Sequence, residues 1–205
     1  MARCEPPPRP PRASGTAAGA AGRLKYAAIQ AVAEHGFSGL TIDGLCERAS
    51  TTRTEFEQCW SDPGAVLCDA LDEMMRLPQL PDLGNLPDDL AAYVQAYLAR
   101  CSDPAFRACA FYVMANASSA ENLGPKLLAG FIRRRAVNRA LIERAVARGE
   151  LPAGTDPDPL LDAVLKLAFT WMSSGSAPPA GKLNVAIRGL LAQEARREAF
   201  LRARR

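Results

Sequence analysis

Punctuation limits the fold of this chain more than any other feature of its sequence. At Asp62-Pro63, Asp103-Pro104 and Asp158-Pro159 an acid stands directly before a proline. The acid can accept from the free N–H groups of a helix start, and the proline sits where its missing N–H costs nothing. Between such marks lie Ala-, Leu- and Arg-rich segments with apolar residues at 3/4 spacing. Runs of β-branched residues with period-2 alternation are nearly absent. The expectation is an all-α chain.

Residues 1–19, rich in Pro, Ala and Arg and without periodicity, read as a disordered arm. A first helix is expected over Ala20–Glu34, its inner face marked by Leu24, Ala27, Ala28, Ala31 and Val32. Gly36 suits the left-handed residue past a helix end, with Phe37 and Leu40 plugging the corner. Thr41 caps a short second helix, "IDGLCERA". After the turn "STT", Thr52 and Glu55 form a T-x-x-E capping box that opens a third. Asp62-Pro63 opens a fourth, running to about Leu77.

The Pro-rich "LPQLPDLGNLPDD" divides the chain into a headpiece, 20–77, and a body, 78–205. Five more helices are expected in the body. They are Leu90–Arg100 after Pro87 and Asp88, one from Asp103-Pro104 to about Ser118, Gly124–Arg148, Leu160–Met172, and one from about Lys182 into the Arg-rich tail.

Charge is uneven. The net is +3, yet the span from Ala20 to Leu77 holds five basic and nine acidic residues, a balance of −4. Positive charge gathers in the arm, at Arg133-Arg134-Arg135, and in the final ten residues. Six cysteines form no CxxC pair and His35 is the only histidine, so no zinc site is expected. The arginine and prolines that open the chain lack the apolar core of a signal peptide, and no apolar run reaches membrane-span length. A cytoplasmic protein with reduced thiols is expected. Cys59 and Cys68 are candidate redox sensors, but Glu57, Asp62 and Asp69 nearby should raise their thiol pKa values. No GxSxG, HExxH or phosphate-binding loop occurs, so neither an enzyme nor a cofactor is expected.

Two short helices joined by a three-residue turn and held by a longer one describe a helix-turn-helix module. The span "AAIQAVAEHGFSGLTIDGLCERASTTRTEFEQCWSDPGAVLCDAL" resembles the N-terminal domain of the TetR family of one-component regulators. The passage "LIERAVARGELPAGTDPDPLLDAV" is similar to the stretch before that family's eighth helix. The resemblance implies a nine-helix, all-α, TetR-like architecture: an N-terminal helix-turn-helix domain plus a C-terminal domain for ligand binding and dimerisation. It implies a homodimeric regulator, read as a repressor, on a near-palindromic double-stranded DNA operator, released by a small apolar effector. The alternative is the same scaffold with weak or lost DNA binding.

The resemblance carries DNA contact to Thr52, Arg53, Thr54 and Gln58 on the third helix, with Thr41, Arg23 and Lys25 on the flanking backbone. Arg53 can bond two acceptors of guanine, and Gln58 can pair with adenine. The chain departs from the family pattern where Glu57 replaces a phosphate-binding tyrosine, Pro63 a lysine and Ser50 a glycine. A carboxylate facing phosphate is repelled. Glu55 is therefore expected to turn back into the capping box, and Glu57 to pair with Arg48 or Arg53 or to accept from cytosine N4. Arg3, Arg9 and Arg12 of the arm could restore positive charge on DNA.

In the body, Leu161, Val164, Leu165, Ala168 and Met172 mark a stripe at 3/4 spacing, and Ile187, Leu190 and Leu191 another. A four-helix dimer interface is expected there, the alternative being intrachain core. Tyr93, Tyr97, Phe106, Cys109, Tyr112, Asn116, Phe131 and Trp171 are the candidate lining of an effector pocket.

Overall fold

The computed structural model describes residues 17–76, 80–174, 178–202 and 204. Among these residues the chain forms nine α-helices and no strand. Helix α1, Ala17–His35, begins three residues before the expected start because the alanines there continue the helix readily. The rest of the expected arm, with Arg3, Arg9 and Arg12, lies outside the described residues. Leu24, Ala28 and Ile29 of α1 are fully buried. Gly36 ends the helix at φ +66° and leads into a 3-10 turn, Gly36–Gly39. Helix α2, Ile42–Ala49, is capped by Thr41 Oγ1, which accepts from Gly44 N at 3.2 Å. Ser50 closes it in the left-handed region (φ 50°, ψ 50°), a conformation that costs a non-glycine residue about 1–2 kcal/mol.

Helix α3, Arg53–Glu57, is barely more than one turn, so its ends and its anchor decide whether it forms. The capping box is complete: Thr52 Oγ1 accepts from Glu55 N at 3.2 Å, and Glu55 Oε2 accepts from Thr52 N at 2.8 Å. Phe56 is the anchor, fully buried beside Trp60. Burying such a ring contributes about 2–3 kcal/mol. Helix α4, Pro63–Met75, starts on Asp62, which accepts from Ala65 N at 2.9 Å.

Two further starts differ from expectation. Helix α5 is Leu86–Arg100, four residues longer at its head, because Asn85 is the cap and Pro87 falls in the first turn. Helix α8 is Pro157–Ser174, because Asp156 rather than Asp158 receives the first free amide, Asp158 N, at 3.0 Å. Helix α6, Pro104–Asn116, runs into a 3-10 turn, Ala117–Ser119. Helices α7, Gly124–Ala147, and α9, Ala180–Arg202, complete the set.

Helix α1 is the hub. It packs on α2 and α4 within the headpiece and on α6 of the body. Helix α4 touches α1 on one side and α7 on the other, and α5 lies against α8 and α9. The connection into α5 is strapped by charge. Asp89, the one fully buried charged residue among those described, accepts from Leu83 N at 2.5 Å and from Arg148 Nη2 at 3.0 Å. Arg148 also reaches Asp82, and Glu150 accepts from Leu86 N at 2.6 Å. The segment "RGE" after α7 thus fixes where α5 begins. No helix among the described residues is long and apolar enough to cross a membrane.

Candidate nucleic-acid face and ligand cavity

Of the side chains expected on DNA, those of α1 are engaged inside the fold. Arg23 Nε donates to Ala49 O at 2.9 Å, locking the end of α2 to α1. Lys25 Nζ bonds Glu73 of α4 at 2.6 Å and lies over the Trp60 ring. Each of these two cations thus already has an oxygen partner within the chain. Thr41 and Thr52 are the caps of α2 and α3. Arg53, Thr54 and Gln58 stand exposed on one short helix.

Glu57 does not face outward alone. Its Oε1 accepts from Arg53 Nε at 2.8 Å, while Asp43 lies 3.6 Å from Arg53 Nη1. Arg48, the other expected partner, is held bidentately by Glu34, at 3.0 and 2.8 Å. Glu55 is held below the ordinary carboxylate range by the Thr52 N–H and hydroxyl, so it stays charged at the helix N-terminus, where a negative charge is favoured. Three of the five headpiece cations, Lys25, Arg48 and Arg53, are thus paired with headpiece acids.

In the body, a cavity of about 500 Å³ opens between α4, α5, α6, α7 and α8. Tyr93, Tyr97, Phe106 and Phe131 line it, as do Met75 of α4, Val113 and Met114 of α6, and Leu165 and Phe169 of α8. Polar groups are few and sit on α7 and α8: Arg134, Arg135, Asn138, Asp162, Lys166 and Thr170. Asn138 donates to the Tyr93 hydroxyl at 2.6 Å. Burial pushes the Tyr93 hydroxyl up to about 12 and the Tyr97 hydroxyl higher still, so both remain neutral donors.

Four candidate lining residues fall elsewhere. Tyr112 turns toward the headpiece, edge-on to Phe37 at 5.0 Å and beneath Gly36. Asn116 bonds the carbonyl of Tyr112 at 2.9 Å, and Cys109 is buried core whose thiol is pushed up to about 12 by burial. Trp171 packs against the core outside the cavity lining. The expected dimer stripe also needs correcting. Leu161, Val164, Ala168, Met172 and Ile187 are buried within a single chain and offer no free surface, while the partly buried Leu165 lines the cavity. Leu190 and Leu191 are partly exposed, and Val185 of α9 is 73% exposed. The missed lining residues on α8 follow at helical spacing, 162, 165, 166, 169 and 170, on the face flanking the core stripe. One broad apolar stripe concealed two faces. The half-buried Cys68 thiol is raised by burial and by Asp72, which leaves it poorly reactive.

A capped two-helix reader set on a hollow helical body defines a helix-turn-helix protein with a ligand-sized chamber. Residues 80–187, more than half of the chain, match the family described as tetracyclin repressor-like, C-terminal domain. The chain belongs to the TetR family of transcriptional regulators. Among its relatives is an uncharacterised HTH-type transcriptional regulator, YdeS, of Bacillus subtilis (strain 168), 26% identical over 141 residues, or 67% of this chain and 70% of that one. Among solved structures, the fatty acid degradation regulator FadR from Bacillus halodurans superposes with TM-score 0.67 at 14% identity, covering 84% of this chain and 94% of that one. A transcriptional regulator FadR from Bacillus subtilis, in complex with stearoyl-CoA, gives TM-score 0.63 at 13% identity, covering 82% and 96%. Likeness at this level speaks for the fold.

Proposed function

We propose that this protein is a homodimeric transcriptional repressor in the cytoplasm. It reads a near-palindromic operator through α2 and α3 and leaves it when a small molecule fills the body cavity. The headpiece, 20–77, is the DNA-reading unit, and residues 78–205 serve effector binding and dimerisation. The observation that carries this reading is the place of the cavity. Its lining includes α4 and α6, and these same helices pack against α1 of the headpiece. A ligand that favours one spacing of α4 and α6 therefore biases the headpiece, which is the energetic meaning of allostery. Arg53 is the base reader: Glu57 holds its Nε, and its outer nitrogens turn to guanine once Nη1 leaves Asp43. Thr41, Thr52, Thr54 and Gln58 supply the remaining contacts. The exposed surface of α9 around Val185, Leu190 and Leu191 is the place for a second copy.

A second reading rests on the pairing of headpiece cations with acids. Such a face releases few counterions on binding, so DNA affinity could be weak or lost. Recovering genomic fragments on the purified protein at low salt separates the two. Enrichment of one motif with two-fold symmetry supports the repressor reading. Recovery of fragments without a shared motif refutes it.

A further inference from the structure

A second chamber, of about 330 Å³, lies between α4 of the headpiece and α7 of the body, and the two cavities share Met75, Arg134 and Asn138 as a common wall. Their chemistry differs sharply. The larger chamber is mostly apolar. The smaller one carries Arg76, Arg133 and Arg134 against the single carboxylate of Asp72. Asp72 is on α4 and is gripped by Arg133 and Arg134 of α7, one oxygen to each. In the large chamber Arg135 is held by both Asp158 and Asp162, and Lys166 is a further cation of its lining. The two arginines on one carboxylate, with Arg76 beside them, belong to the smaller chamber.

The backbone makes room for this grip. Gly130, buried in the middle of α7, is a residue that costs a helix about 1 kcal/mol relative to alanine. A Cβ there would stand 2.9 Å from Asp72 Oδ1, closer than Cβ atoms approach, and 3.2 Å from Arg134 Nη1, so the gripped side chains would have to shift.

We propose that the body binds an amphiphile in which an apolar chain or ring system ends in an anionic oxyacid head, carboxylate or phosphate. The apolar part fills the large chamber. The head enters the small one and takes Arg133 and Arg134 from Asp72. A guanidinium fork matches the paired oxygens of either head, and Asp72 already occupies the position such a head would take. Exchange of one oxyanion for another keeps the arginines satisfied while it unties α4 from α7. The inference rests on the large cavity being the effector site.

The test is calorimetric titration of the full chain, without DNA, using dodecanoate, dodecyl phosphate and dodecanol. The expected result is that both anions bind at least about tenfold more tightly than the alcohol, the worth of a charge-assisted hydrogen bond. Arg133→Gln should remove most of that preference, and because Arg133 lines only the smaller chamber, dodecanol should still bind, which also reports an intact fold. Asp72→Asn should tighten both anions, because their competitor is gone. Equal affinity for alcohol and anions overturns the head-group assignment while leaving an apolar effector cavity standing. An anion preference that survives Arg133→Gln combined with Arg134→Gln also overturns it, as does no binding of any of the three. If the preference holds but dodecanoate fails to release bound DNA, the repressor reading falls instead.

Discussion

The contact between headpiece and body can be tested at one glycine. Gly36 sits at φ +66°, and a Cβ built on it would fall into the ring of Tyr112 on α6. Gly36→Ala therefore carries two separable costs. An alanine in the left-handed region loses about 1–2 kcal/mol. Forcing a methyl against a packed ring costs about 1–3 kcal/mol more. The total, about 2–5 kcal/mol, is read from urea denaturation as a shift in midpoint at constant slope. The steric part belongs to the pair, so it must vanish when the ring is gone. In a Tyr112→Ala background, Gly36→Ala should cost only the backbone share, a coupling of about 1–3 kcal/mol between the two sites. Because α6 also carries Phe106, Val113 and Met114 of the cavity, the single variant should change amphiphile affinity as well as stability. An equal cost of Gly36→Ala in both backgrounds would show that the two residues do not meet, and the proposed route from cavity to headpiece through α6 would fail with them.

Other expectations follow from named contacts. Asp89→Ala leaves Arg148 and the Leu83 amide short of a buried partner, so a loss of about 3 kcal/mol is expected, lowering Tm by roughly 6–12 °C in a chain of this size; a loss under about 1 kcal/mol would refute the strap. The Asp62 carboxyl is held below its ordinary range by Lys126, so the unfolded chain takes up that proton more readily than the folded one. The stability it lends is full above the ordinary aspartate value, about 3.9, and is lost as pH falls through the lower folded value. Urea midpoints of the native chain and Asp62→Asn should therefore converge as the solution is acidified, and a constant gap would contradict the pairing. Arg53→Ala should weaken operator binding roughly ten- to a hundredfold and relax selection at one guanine, measured by fluorescence anisotropy on matched and substituted operators. A uniform loss on all sequences would make Arg53 a phosphate contact instead.

Local rules carried much of this fold. Thr41, Thr52 with Glu55, Asp62 and Asp103 cap the helices they precede in the sequence. The pairing of Glu57 with Arg53 follows from i,i+4 spacing on one helix. Local rules fall short where two signals compete or where partners are distant. Asp156-Pro157 and Asp158-Pro159 offer the same start twice, and only the backbone path into α8 decides between them. The intrachain partners of Arg23 and Lys25, Ala49 O and Glu73, are 26 and 48 residues away and leave no local mark in the sequence. Tyr112 has the composition of a pocket residue, and its role as the buttress of Gly36 needs the α1–α6 contact to be seen. The stripe on α8 was legible as apolar, but periodicity alone does not say whether an apolar face meets its own chain, a ligand or a second copy.

The central claim is that an exposed, internally neutralised α3 still reads DNA. The most direct measurement is the change in backbone amide NMR shifts when the recovered operator fragment is titrated into the protein. The account predicts that the largest changes fall at residues 41 and 52–58, with Arg53 foremost, and that a scrambled fragment gives small changes. Unmoved amides across that stretch, or equal responses to both fragments, would contradict it.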